Sequence, residues 1–178
     1  MAEITIVGGI NIDIEGSPFE KLKYQDSNPG RINLAFGGVG RNITENAARL
    51  GGDVAMVSVI GDDQMGQAAK AELEGLGVDT SCIRTLKGRN SAMYLSILDD
   101  RNDMELAICD MDIIDAITPA VLEEHRDFIS GSKILALDGN LSEELIRCSV
   151  DMFKDIPIFF DPVSSAKAVK AKHCLGGF

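Results

Sequence analysis

A glycine-rich run, residues 37–42 (GGVGRN), contains the groups best suited to hold a polar ligand. The run lies between an apolar strand-like stretch, 32–36, and a helix-like stretch, 43–50. The first turn of a helix presents unpaired backbone N–H groups, and glycines let a ligand approach the backbone closely. An arginine and an asparagine add side-chain donors, so the run suits an oxygen-rich ligand such as a sugar or a phosphate. A tight turn that needs glycine only for its geometry explains the same pattern. The candidate ligand-binding residues are Gly37, Gly38, Gly40, Arg41 and Asn42.

A second candidate lies after the first apolar run, 4–10, where Asn11 and Asp13 occur two positions apart. Residues two apart on an extended chain project to the same side. An amide and a carboxylate on one side can together bind the vicinal hydroxyls of a sugar. A solvated strand end with polar residues is the alternative interpretation.

Acidic and amide residues also follow two later strand-like runs. Asp138 and Asn140 come after 134–137, and Asp161 comes after 156–160. Ligands of open α/β sheets bind near the carboxyl ends of the strands. A carboxylate at that edge can hold Mg²⁺ or orient a hydroxyl group, although turn formation by Asp and Asn explains each position alone.

The acidic residues Asp62 and Asp63 are less informative. They allow a metal or acid site, but the sequence favours a cap for a helix that begins at Gln64. The chain contains no phosphate-binding GxxxxGK[ST] loop, no GxGxxG fingerprint, no GxSxG and no HExxH.

Composition narrows the class of protein. The chain has 178 residues, of which 45% are hydrophobic. Its net charge is −11, and because like charges repel, duplex nucleic acid and anionic membranes are poor partners. Neither a signal peptide nor an apolar run of membrane-spanning length is present. The four cysteines, at positions 82, 109, 148 and 174, lack metal-binding spacing, and we expect reduced thiols in a cytoplasmic protein.

The candidate residues lie between apolar runs. Runs with the periodicity of a strand alternate along the chain with runs that have the periodicity of a helix. The alternation favours an α/β fold with a doubly wound, mostly parallel sheet flanked by helices. Two further stretches, about 12–36 and 91–110, break this rhythm, and a polar connection at 99–103 predicts a β-hairpin within the second. We expect them to form a small β appendage on a single domain, 1–178. The predicted strands are 4–10, 54–60, 133–137 and 156–160, and the predicted helices are 42–50, 64–76, 118–129 and 142–153.

Taken together, these features resemble the PfkB (ribokinase-like) family of sugar and nucleoside kinases. The matching pieces are residues 9–13 (GINID), 37–42 followed by 47–51 (AARLG), and 59–66 (VIGDDQMG). The resemblance runs from residue 3 to about residue 172. It implies a ribokinase-like fold in which the β appendage is a lid over the sugar, and a homodimer formed through that lid.

Within the family, the chain looks most like the branch that phosphorylates pseudouridine. The segments 24–30 (YQDSNPG), 38–43 (GVGRNI), 110–113 (DMDI) and 161–164 (DPVS) carry this closer likeness. The implied reaction transfers a phosphoryl group from ATP to the 5′-hydroxyl of pseudouridine with the help of Mg²⁺. By resemblance, the residues that contact the ribose are Asn11, Asp13, Gly38 and Asn42, Asp138 faces the sugar or the site, and Asp161 lies near the phosphates and the metal.

One departure from the family bears on activity. The Gly-Ala-Gly-Asp segment, which in the family supplies the catalytic base and an anion hole, does not occur in this sequence. We therefore expect the C-terminal nucleotide-binding part to be missing, the chain to be catalytically weak or inactive, and apolar surface to be exposed. Alternatives are another specificity of the family, such as a ribokinase-like, fructose-type or adenosine-type kinase, a non-catalytic nucleoside-binding protein, and a fragment without independent activity.

Overall fold

A computed structural model of the protein describes residues 2–178 and contains two β-sheets. The larger sheet has five parallel strands in the order β5-β4-β1-β8-β9, and the smaller has four strands in the order β3-β2-β6-β7. The strands are β1 (Ile4–Val7), β2 (Asn11–Pro18), β3 (Gly30–Gly37), β4 (Val54–Gly61), β5 (Ile83–Leu86), β6 (Ala92–Leu98), β7 (Met104–Asp110), β8 (Ile134–Asp138) and β9 (Ile158–Asp161). The helices are α1 (Val39–Arg49), α2 (Gln64–Gly75), α3 (Pro119–Glu124), α4 (Arg126–Ser130), α5 (Glu143–Met152) and α6 (Ser165–Ala168).

Helices cover both faces of the parallel sheet because successive side chains of each strand point to opposite faces. Ile6 of β1 packs in a buried cluster with residues of α1, and Met56 of β4 packs with residues of α2. Val7 and Val57, one position further along each strand, pack on the other face with residues of α3, α4 and α5. The predicted α/β fold with a doubly wound parallel sheet is therefore confirmed.

The smaller sheet is mixed, since β2 and β6 run parallel while β3 and β7 are antiparallel to their neighbours. Its strands lie in the two stretches that break the α/β rhythm, and β6 and β7 form the expected hairpin across 99–103. Gly16, Pro18 and the segment 27–30 (SNPG) are typical of turns, but β2 extends to Pro18 and β3 already begins at Gly30. The extension follows from pairing, because Ser17 lies opposite Arg31 and Pro18 opposite Gly30.

Two other local predictions need correction. Strand β5 is absent from the sequence prediction, and the helix predicted over 118–129 is divided at His125 into α3 and α4. The division leaves both Leu122 and Ile129 fully buried in the core. Within residues 2–178, no helix combines the length and the apolar character needed to cross a bilayer.

Candidate functional site

A cavity of about 450 Å³ lies where β1 ends beneath the smaller sheet. This volume is in the range that binds small organic molecules. We call three parts of its wall the floor, the roof and the cationic end. The floor consists of Gly9, Asn11, Gly38 and Asp138; the roof consists of Tyr94, Cys109, Met111, Asp112, Ile114 and Asp115; the cationic end consists of Asn140 and Lys167.

Asn11 and Asp13 begin β2 and contact each other, as their spacing predicts. Asn11 is 8% exposed, and its Nδ2 donates a hydrogen bond of 2.6 Å to Oδ1 of Asp13. The carboxylate of Asp13 and the amide of Asn11 lie against Gly37, the cross-strand partner of Asn11. Burial raises the pKa of Asp13, and the hydrogen bond from Asn11 offsets part of that rise. Asn11 forms part of the cavity wall, and Asp13, which is not a wall residue, orients the amide by accepting its hydrogen bond.

The glycines of the 37–42 run are required by close packing. Gly38 has φ +100°, in the region that favours glycine, and a Cβ there would lie 2.5 Å from the carbonyl oxygen of Gly9. A Cβ on Gly40 would lie 2.7 Å from the Cα of Gly8, so α1 begins in direct backbone contact with the end of β1. The tight-turn interpretation of the run thus accounts for both positions.

The start of α1 offers fewer free N–H groups than the sequence leads us to expect. The N–H of Gly40 donates to Oδ2 of Asp138 at 3.1 Å, and the N–H of Arg41 donates to the carbonyl oxygen of Gly9 at 3.2 Å. Two of the first three helical N–H groups are therefore used within the protein. The expectation fails because a carboxylate from β8 caps the helix.

Asp138 is the most heavily bonded side chain of the floor. It is fully buried, and its Oδ2 accepts from the N–H groups of Gly9 and Gly40, both at 3.1 Å. Its Oδ1 accepts from the backbone N–H and the side-chain Nδ2 of Asn140, both at 2.8 Å. The carboxylate therefore ties together the end of β1, the start of α1 and the loop after β8.

Arg41 and Asn42 lie beside the cavity rather than on its wall. Arg41 is 5% exposed, and its guanidinium forms ion pairs with Glu45 and Glu72. It also donates a 3.3 Å hydrogen bond to Oδ1 of Asn42, whose residue is exposed. The structure thus brings these two residues close to each other, and direct contact with a ligand remains a prediction for both.

The cationic end contains a residue that sequence reasoning missed. Lys167 of α6 donates a hydrogen bond to Oδ1 of Asn140. Lys170 holds the same loop from outside the cavity, because its Nζ donates to the carbonyl oxygens of Gly139 at 3.1 Å and Leu141 at 2.8 Å. The signal available in the sequence was Ser164, which caps α6 at the N–H of Lys167.

Asp161 ends β9 in register with Asp138, as the strand-end pattern predicts. It is exposed, lies outside the cavity wall, and accepts a 2.8 Å hydrogen bond from the N–H of Val163. Among residues 2–178 no group of three His, Cys, Asp or Glu side chains is arranged to hold a metal ion. Asp63 accepts from the N–H of Gly66 and caps α2, which confirms the predicted cap.

Comparison with known proteins gives consistent matches over the whole chain. Residues 1–175 match the family described as pfkB family carbohydrate kinase. The chain is 41% identical over 172 residues to the pseudouridine kinase of Escherichia coli K12, covering 97% of this chain and 55% of that protein. It is 39% identical over 171 residues to the uncharacterized sugar kinase YeiI of the same organism, covering 96% and 47%.

The fold has close structural counterparts as well. A crystal structure of a sugar kinase from Clostridium perfringens superposes with a TM-score of 0.93 at 29% identity, covering 100% of this chain and 56% of that one. The chain thus spans about half the length of the relatives that it matches.

Proposed function

Because the chain belongs to the pfkB family of carbohydrate kinases, we propose that it forms the acceptor-binding part of a nucleoside kinase. The proposed reaction is transfer of a phosphoryl group from ATP to the 5′-hydroxyl of pseudouridine, giving pseudouridine 5′-phosphate. The identity to a pseudouridine kinase, 41% across nearly the whole chain, supports this substrate. ATP and Mg²⁺ enter the proposal through the family, and Asp161 is the residue that we assign to the phosphate side.

The observation that carries the proposal is the orientation of the Asn11 amide in the cavity floor. Its Nδ2 is committed to Asp13, so its Oδ1 is the atom free to accept a hydrogen bond from a ribose hydroxyl. Glycine at position 38 keeps the space beside that oxygen open, since a Cβ there would lie 2.9 Å from it. A furanose ring with vicinal hydroxyls fits such a floor, because Gly38 places no side chain beside the amide.

The two ends of the cavity orient the substrate. Among the described residues, Lys167 is the one basic residue of the cavity wall, and a positive charge stabilises a phosphoryl group arriving at the neighbouring hydroxyl. The 5′-hydroxyl is therefore assigned to the cationic end, beside Asn140. The base then extends toward the roof, where Tyr94 and Met111 provide apolar surface.

We propose further that the 178 residues bind the nucleoside without turning it over. A general base needs a carboxylate that can take a proton from the acceptor hydroxyl. Asp138 accepts four hydrogen bonds inside the protein, and Asp13 is bonded to Asn11 and is not a wall residue. Asp112 and Asp115 lie at the β4 end of the cavity, away from the 5′-hydroxyl assigned beside Lys167, so none of these carboxylates is placed for that role. Binding without turnover is also what the non-catalytic alternative predicts.

Isothermal titration of the protein with pseudouridine, and an assay of ADP release with ATP and Mg²⁺, test these statements. We expect pseudouridine to bind, and we expect Asn11→Ala to weaken binding roughly tenfold or more. The matched control is Asn46→Ala on the exposed face of α1, which should leave binding unchanged. Absence of pseudouridine binding contradicts the function, tighter binding of ribose or adenosine favours another specificity of the family, and robust ADP release contradicts the inactive state.

The smaller sheet supports a homodimer through the lid. Strand pairing places Ile32, Leu34, Leu106 and Ile108 on the face opposite to the one that bears Asn11. These four residues are 46–79% exposed, and apolar patches of this kind mark interaction surfaces. We propose that a second copy covers them. Light scattering should detect a dimer, and Ile108→Lys should convert it to a monomer; a monomeric wild type at millimolar concentration contradicts the proposal.

A further inference from the structure

The roof of the cavity contains two carboxylates that the proposed function does not use. We propose that Asp112 and Asp115 select the nucleobase by accepting hydrogen bonds from its ring N–H groups, and thereby favour pseudouridine over uridine. This inference rests on the proposed function, since it concerns the base end of the same cavity. It goes further in naming the feature of the substrate that is recognised and the residues that recognise it.

Both carboxylates project from one short 3₁₀ turn, Asp112–Ala116. Residues three apart in a 3₁₀ helix lie one above the other, so Asp112 and Asp115 share a side of the turn. The turn is anchored, because Ile113 and Ile114 are 2% and 8% exposed in the main core. The turn is therefore a fixed support that presents two acidic groups to the cavity.

The two carboxylates are free to bind a ligand. Both line the cavity, both belong to exposed residues, and neither forms an ion pair or a side-chain hydrogen bond within the described residues. This distinguishes them from Asp138, whose two oxygens are already fully used. An ionised carboxylate accepts hydrogen bonds and cannot donate them, so its natural partner is an N–H or O–H group.

The topology of the sheet places the turn at the base end of the substrate. The turn packs against β4, whereas Asn140 follows β8, and β4 and β8 flank β1 on opposite sides. The cavity therefore has an acidic end over β4 and a cationic end over β8. With the 5′-hydroxyl beside Lys167, the base lies at the acidic end.

The chemistry of the two nucleosides differs at the atoms that such a wall would contact. In uridine N1 carries the ribose, and N3–H is the remaining ring donor. In pseudouridine the ribose is attached through carbon, so both N1–H and N3–H can donate. An acidic wall favours the base with more donors, because hydrogen bonds to a charged acceptor are stronger than those between neutral groups. It also disfavours ligands with an anionic group at this end.

Titration with three nucleosides tests the inference from the ligand side. We expect pseudouridine to bind roughly tenfold or more tightly than uridine and N1-methylpseudouridine, both of which lack the N1–H donor. Uridine lacks the donor without adding bulk, and N1-methylpseudouridine retains the carbon linkage, so the two controls separate the donor from shape. Equal affinity for all three nucleosides overturns the inference.

Variants test it from the protein side. Asp112→Ala and Asp115→Ala should each reduce the preference for pseudouridine over uridine several-fold, and the double variant should abolish it. The matched control is Asp110→Ala, which removes an exposed carboxylate from the same segment but outside this cavity wall. Ribose affinity should remain unchanged in all variants, which shows that the floor is intact.

The outcomes separate this inference from the function on which it rests. If the wild type binds neither ribose nor pseudouridine, the proposed function fails and the inference fails with it. If pseudouridine binds but the double variant retains the full preference over uridine, the inference alone is wrong. If the control Asp110→Ala loses the preference as strongly as Asp112→Ala and Asp115→Ala, general charge accounts for the selection, and the assignment to the turn is overturned.

Discussion

The floor and the roof of the cavity use their polar groups in different ways. In the floor, Asp138 accepts four hydrogen bonds, and Asn11 is oriented by Asp13. In the roof, the side chains of Asp112 and Asp115 make no hydrogen bond to another described residue. Groups that are satisfied inside the protein fix its geometry, whereas free groups on a cavity wall are available to a ligand. The floor is thus mainly a support, and recognition of the base is assigned to the roof.

Replacing Asp138 tests this division with the largest expected effect. Asp138→Ala leaves the N–H groups of Gly9 and Gly40 and the amide of Asn140 without their acceptor in a fully buried site. Each unsatisfied buried group costs about 1–3 kcal/mol, so we expect the free energy of unfolding in urea to fall by about 3 kcal/mol or more. Asp112→Ala should change it by less than about 0.5 kcal/mol.

A graded variant sharpens the same test. Asp138→Asn retains one carbonyl oxygen, and its loss of stability should lie between those of the wild type and Asp138→Ala. If Asp138→Ala and Asp112→Ala lose equal stability, the floor is no more of a support than the roof, and the comparison is wrong.

The sequence predicts the residues of the floor better than their roles. Gly38, Gly40 and Asn11 belong to short local patterns, so their importance can be inferred without a structure. The role of Gly40 depends on Asp138, which accepts its N–H across 98 positions of the chain. Such a contact leaves no trace in local spacing, and for this reason the N–H groups of Gly40 and Arg41 are predicted to be free although both are bonded within the protein.

Most of the roof could not be predicted from the sequence. Tyr94 and Cys109 lie opposite each other on β6 and β7, and Asp115 comes from the following turn. Only strand pairing brings them to one wall, and no short motif contains all three. The segment 110–113 is part of the family resemblance. That resemblance does not show that the segment lines a cavity, and it does not show that Asp115 belongs to the same wall.

The main sheet is predicted well because its inner strands β1, β4 and β8 are almost entirely buried and its helices are amphipathic, which gives long and distinct apolar patterns. The errors fall where tertiary pairing overrides local preference. Strand β5 has only four residues, two of them polar, and becomes a strand by pairing with β4. The end of β2 contains Gly16 and Pro18, which are typical of turns, and it stays extended by pairing with β3.

The second prediction concerns the close packing beneath the floor. In Gly40→Ala the added Cβ would meet the Cα of Gly8 at 2.7 Å, and backbone on both sides cannot move away easily. We expect the free energy of unfolding to fall by about 2 kcal/mol, which is within the usual range for an overpacked core. Gly75→Ala at the end of α2 is the matched control, because its Cβ would enter open space and should have a neutral or slightly stabilising effect. Similar thermal midpoints for both variants would contradict the packing argument.

The third prediction uses the protonation of Asp13. Burial raises the pKa of Asp13 above 3.8, so on acidification its carboxylate is protonated at a higher pH than an ordinary aspartate. The protonated form is a poorer acceptor for Nδ2 of Asn11, and the affinity for nucleoside should therefore fall as pH decreases through that raised pKa. We expect the affinity to fall roughly tenfold, which corresponds to the free energy of one hydrogen bond to a charged group. Ribose does not reach Asp112 or Asp115, so ribose titrations at a series of pH values isolate Asp13. Asp13→Asn should lack the step in these titrations, and a wild-type ribose affinity that is independent of pH would show that Asp13 does not act through Asn11.

The smallest effect on binding is expected at Arg41, which the sequence favours as a ligand contact. Its guanidinium is paired with Glu45 and Glu72 at the side of α1, so its removal should act on stability and not on the cavity. For Arg41→Gln we expect the free energy of unfolding to fall by about 1 kcal/mol, because Glu72 is exposed enough to be solvated once its partner is lost. Nucleoside affinity should change by less than about twofold, in contrast to the expected loss in Asn11→Ala. A tenfold loss of affinity with unchanged stability would place Arg41 in contact with the ligand. The division between supporting and recognising groups would then have to be redrawn to include the first turn of α1.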